Sequence, residues 1–64
     1  MTVRDLKKGD MFTLKPVPAP LPSQVYVRDD YDRSEKKYMA VRFDDVGRSV
    51  LLKPDRPVYT DFVF

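Results

Sequence analysis

The stretch KPVPAPLP, residues 15–22, carries proline at every second position, so four of the chain's six prolines fall within eight residues. Proline fixes φ and has no N–H to donate, so this segment can be neither helix nor the interior of a sheet. In an extended chain, residues two apart send their N–H groups the same way. Pro16, Pro18, Pro20 and Pro22 therefore delete the donors of one edge, while Val17, Ala19 and Leu21 keep those of the other. Two conformations follow. One is an edge segment that bonds through one side only and blocks edge-to-edge pairing; the other is a polyproline II loop that stiffens a long connection. The loop is favoured because proline opposes regular strands. In neither conformation is this stretch an SH3 ligand, since PxxP needs prolines three apart and these stand two apart.

The remainder lacks helical periodicity and shows short runs of β-branched and aromatic residues between turn signals. Five strands are expected, at residues 10–14, 25–29, 37–43, 49–53 and 58–63. Alternation in KYMAVRF places Met39, Val41 and Phe43 on one face and Tyr38, Ala40 and Arg42 on the other. The first set is taken as core, with Phe12, Leu14, Val25, Val27, Val50, Leu52, Val58, Thr60 and Phe62. Leu51, Val63 and Phe64 suit neither core nor surface; they cap a barrel end or meet another molecule. DDYDRSEKK, residues 29–37, reads as a hairpin tip, Gly47 as the positive-φ residue of a second hairpin, and KPDRP, residues 53–57, as the stop between the last two strands.

A chain of 64 residues is expected to be one domain, 1–64, of marginal stability. It has no cysteine and no histidine, which removes disulfides, thiolate and imidazole metal ligands, and the usual nucleophile–base pairs. No catalytic residues, metal or cofactor are expected, and the protein is read as no enzyme. Asp30, Asp32 and Ser34 match the start of a calcium loop, but Glu35 stands where glycine is needed and Val41 where a bidentate glutamate belongs. Asp29/Asp30 and Asp44/Asp45 are neighbours that point apart on a strand, and read as solvated turn acids. The net charge of +2 is too small to argue for nucleic acid, although the pI near 9.0 leans that way. No run approaches the ~18 apolar residues of a membrane span, and a cytoplasmic location is expected.

The opening VRDLKKGDMFTL, residues 3–14, resembles the entry segment of small SH3-like β-barrels such as the KOW-type barrels of translation and transcription factors. The long loop at residues 15–24 sits where such barrels carry their longest loop. The resemblance implies an all-β, five-stranded SH3-like barrel with a Pro-rich first loop. It implies no function, since this fold serves peptide, nucleic-acid and structural roles. In layout, DYDR at 30–33, KKY at 36–38, FDD at 43–45 and VYTDFVF at 58–64 resemble small uncharacterised proteins of bacterial phages and mobile elements, which implies a short accessory gene.

By the same alternation Tyr26, Arg28, Tyr38, Arg42 and Tyr59 share an outward face. Aromatics interleaved with arginines can stack bases and neutralise phosphates. They equally form the anchors of protein contacts, or simply cover a sheet. The expected function is a non-catalytic binding module using this face for single-stranded nucleic acid. The alternative is a protein-interaction adaptor or a self-associating accessory protein, with weak homo-oligomer formation through Val63 and Phe64.

Overall fold

The strand-forming runs pair in the order in which they occur. The computed structural model describes residues 1–63, apart from the side chain of Val46. Four strands, β1 (Met11–Thr13), β2 (Val25–Asp32), β3 (Lys37–Arg42) and β4 (Asp45–Leu52), form one open antiparallel sheet in the order β1-β2-β3-β4. The only helical elements among the described residues are two 3₁₀ turns, Val3–Asp5 and Pro22–Gln24. The all-β class is therefore observed. No fifth strand forms at residues 58–63; a single bridge, Thr13↔Tyr59, lies along the free edge of β1, and the sheet is open rather than a closed five-stranded barrel.

Residues directly opposed in an antiparallel pair point to the same side of the sheet. Phe12, Tyr26 and Arg42 are opposed in turn, as are Arg28, Ala40 and Val50, and Tyr38 and Leu52. These residues share the inner face. The two chain ends meet over it: Val3 N–H donates to Arg56 O at 3.1 Å, Arg4 N–H to Pro54 O at 3.2 Å and Val58 N–H to Met1 O at 3.0 Å. Val3, Leu6 and Val58 thereby join Phe12, Ala40 and Leu52 in the core, against which Leu14, Tyr26 and Tyr38 pack.

This inverts the expected faces of β3. Ala40 is wholly buried, whereas Met39 and Val41 are half-buried on the opposite, outer face and Phe43 is exposed in the turn after β3. Val27 moves outward with them, because it lies opposite Val41. The alternation was ambiguous because β3 carries apolar residues on both sides. What decides is which side the chain ends can cover, and Ala40 leaves them room. Thr60, also expected in the core, is exposed. Phe12, Val25, Leu52 and Val58 are buried as anticipated, and Val50 shares the inner face but is exposed.

Turn chemistry agrees in part. The Asp32 carboxylate accepts hydrogen bonds from Ser34 Oγ at 2.7 Å, Ser34 N–H at 3.0 Å and Glu35 N–H at 3.3 Å, which organises the hairpin between β2 and β3. Lys36 there takes φ of 56°. Gly47, by contrast, lies within β4 and has no positive φ; the β3–β4 turn is Phe43 and Asp44. Neither turn residue supplies the positive φ that two-residue hairpins favour. Pairing resumes out of step: Asp45 lies opposite Arg42 and Ser49 opposite Val41, so residues 46–48 bulge. The glycine that does need its freedom is Gly9, φ 96°, in the turn closed by Asp10 N–H to Lys7 O at 3.0 Å.

The proline stretch forms no strand. Val17 N–H turns back to Lys15 O at 2.9 Å and Leu21 N–H to Gln24 Oε1 at 2.8 Å, so these two retained donors serve the loop and the 3₁₀ turn that follows it. Leu21, at φ −72° and ψ 156°, is in the polyproline II region. The loop leaves β1 and re-enters at β2 beside Thr13 and Val25, which are buried at that end of the outer face.

The parity assignment predicts a contrast between neighbours. Phe12→Ala should cost about 3–5 kcal/mol, comparable with the whole stability of a domain this small. Met11→Ala should stay within about 0.5 kcal/mol in dilute solution, as an exposed position does. Urea denaturation checks both, and equal losses would contradict the assignment.

Candidate functional site

Four of the five residues expected to form a binding face do share one, but it is the inner face. Tyr26 stacks on Phe12 with ring centroids 6.0 Å apart. Tyr38 meets Tyr31 at 4.8 Å on a tilted approach, and the Arg28 guanidinium lies 4.5 Å from the Tyr38 ring centroid. Arg28 Nε is buried and has no hydrogen-bond partner, so the ring contact is what holds that cation. Arg42 grips Asp44 through two bonds, Nε to Oδ1 at 3.1 Å and Nη2 to Oδ2 at 3.2 Å. Tyr59 stands apart, across the free edge of β1.

The chemistry differs accordingly from a base-stacking platform. Tyr26 has one face against Phe12, and Tyr38 is met by Tyr31 and by the Arg28 guanidinium, so both rings are partly engaged within the fold. Two open grooves flank Tyr26: one of about 220 Å³ toward the proline loop, lined by Leu14, Lys15, Val17 and Gln24, and one of about 420 Å³ toward β4, lined by Arg42, Arg48 and Val50. In the second, Arg42 is matched by Asp44, and Arg48 by Asp45 at 3.3 Å. Its cations arrive already neutralised.

The outer face is the surface that the sequence reading missed. Met11, Val27 and Val41 lie opposite one another across β1, β2 and β3, with Ser49 completing the row on β4. Met39 and Leu51 form the next pair. Met11 is 41% and Leu51 39% exposed, and Val27, Met39 and Val41 are half-buried. The proline loop closes one end of this face; the other ends in a charged pair, Asp32 opposite Lys37. The signal was available, because VYV and YMAV are apolar in both registers, a pattern that marks a sheet covered on two sides.

Among the described residues, no cluster of three or more potential ligands could hold a metal ion, and no helix is long and apolar enough to cross a membrane. Val63, expected in self-association, is 81% exposed, and its N–H donates to Pro18 O at 2.9 Å, tying the tail to the proline loop. Phe64 lies outside the described residues. No family description, curated protein or solved structure matches the chain.

Three exposed charges have shifted titrations. Ser34 and Glu35 hold the Asp32 carboxyl below the ordinary 3.8, chiefly through the Ser34 hydroxyl. The backbone N–H of Thr2 does the same for Asp5, helped by the Thr2 hydroxyl. Lys8 is raised by its 2.9 Å contact with Asp30. A carboxyl lowered by folding contributes stability above its unfolded pKa, and that contribution is lost as pH falls through the folded value. Stability should thus hold from neutral pH down to about pH 5 and decline below about pH 4. Asp32→Asn should be less stable at neutral pH and show a shallower acid decline. Urea midpoints across this range check it, and coincident curves for parent and variant would refute the role of Asp32.

Proposed function

We propose that the chain is a small non-catalytic protein-interaction module of the cytoplasm that works through its outer sheet face, centred on Met11, Val27 and Val41. The observation that carries this reading is the uncharged apolar row of those three residues, left open on the side away from the core. A contiguous apolar patch rimmed by polar groups is characteristic of a protein contact surface. The nucleic-acid reading of Tyr26, Arg28, Tyr38 and Arg42 is the lesser one, since their rings and charges are satisfied within the fold. Phosphate tracking requires unpaired cations along a groove.

The sheet order, the position of Tyr59 beside β1 and the long loop between β1 and β2 all support an SH3-like barrel. In this arrangement the segment after KPDRP is its fifth strand. A phage or mobile-element accessory protein fits the same reading by resemblance of layout.

Two measurements test the interaction surface. Random displayed peptides panned against the folded protein should yield binders that lose affinity on Val27→Glu or Val41→Glu and keep it on Arg42→Ala. Binders indifferent to both glutamates would overturn the proposal. A labelled mixed-sequence single strand, titrated at low and physiological salt, should show no salt-steep binding; a log–log slope of about −0.7 per contacted phosphate, lost on Arg28→Ala, would restore the nucleic-acid reading.

A further inference from the structure

The outer face has a shape and a charge pattern that say what would cover it. Its apolar part is the row Met11, Val27 and Val41 with Met39 and Leu51 behind it, which calls for an apolar occupant, and on β2 the carboxylates of Asp29 and Asp30 interrupt it opposite Met39. Its open end is polar and lopsided. Asp32, on β2, and Lys37, on β3, stand opposite each other there. Lys37 is in no ion pair among the described residues, while the Asp32 carboxylate is fixed in place by Ser34 and Glu35. The face thus ends in a rigid anion beside an uncommitted cation.

A two-fold axis running parallel to the strands, midway between two such sheets, preserves the rows and exchanges the columns. It sets β2 over β3 of the second copy and β1 over its β4. Val27 then lies over Val41 of the second copy and Met11 over its Ser49. The same operation sets Asp32 over Lys37 of the second copy, and Lys37 over its Asp32. Each copy supplies the anion that the other's lysine lacks, twice per interface. Aligned sheets pack face to face about 10 Å apart, a gap that a lysine and an aspartate side chain reaching from opposite sheets close between them.

We propose that the occupant of the outer face is a second copy of this chain, joined sheet to sheet as a two-fold β-sandwich. An isologous contact of this kind needs a self-complementary patch, and the Asp32/Lys37 exchange makes this one so. Dimerisation also answers the small-domain problem, since oligomers are one of the few ways a short chain without disulfide or metal gains buried apolar area. The inference rests on the outer face being the interaction surface, but names its partner.

Sedimentation equilibrium of the full chain should show a reversible shift from the 7.5 kDa protomer to twice that mass with rising concentration. Met11→Glu and Val41→Glu should each weaken the association by more than about tenfold. Circular dichroism should report an unchanged fold, and Met11, being exposed, is the safer of the two. Lys37→Glu, which sets like charges together across the axis, should weaken it as well. Val63→Ser should leave it unchanged. A protomer mass at millimolar concentration would overturn the second-copy proposal, and so would a dimer untouched by Met11→Glu and Lys37→Glu. Peptide binders mapping to Val27 and Val41 on a strictly monomeric protein would separate the two claims, removing this one and leaving the interaction surface in place.

Discussion

The pairing of β2 with β3 is the constraint from which the rest of the molecule follows. With Arg28 opposite Ala40 and Tyr26 opposite Arg42, the inner face of β3 has its smallest side chain at the centre. That gap admits Phe12 from one side and Val3, Leu6 and Val58 from the two chain ends. A slip of one residue would move every side chain to the other face. The chain ends would then lie over Met39 and Val41, with two tyrosines and two arginines left outside.

A bulge in β2 keeps this arrangement consistent along the strand. Asp29 and Asp30 together oppose Met39, so parity shifts by one and Tyr31 returns to the inner side, where it meets Tyr38. Without the bulge Tyr31 would face outward, and Asp32 would leave the outer face where it opposes Lys37. The Lys8–Asp30 contact ties the Gly9 turn to the bulge, and Gly9 N–H donates to Arg28 O at 2.8 Å just before it. One irregular step therefore sets both the aromatic cluster inside and the charged end outside.

The sequence made four of the five expected strands, the all-β class and the loop character of KPVPAPLP legible, because proline, glycine and β-branched spacing act locally. It did not make the faces legible. KYMAVRF is apolar in both parities, and only the distant segments 1–6 and 53–58 decide which side is sealed. Of the expected Tyr/Arg constellation, Tyr26, Arg28, Tyr38 and Arg42 share a side and Tyr59 does not. Its environment was misjudged for the same non-local reason. Gly47 misled because a glycine after two aspartates suggests a turn, yet the reversal falls two residues after Val41, at Phe43 and Asp44, and the glycine is absorbed in the bulge of β4.

The meeting of the two chain ends has a consequence for the order of folding. The β2–β3 and β3–β4 hairpins join residues close in sequence, so their closure entropy is small and they form early on any route. The core they need is not local. Val3 is bonded to Arg56, 53 positions away (56 − 3), and Val58 to Met1, across nearly the whole chain. On a ribosome, Phe12 and Ala40 would stay uncovered until Val58 emerged. Until then the nascent sheet is wet on both faces, and its inner side is sealed only when the segment at 54–58 joins the one at 1–6.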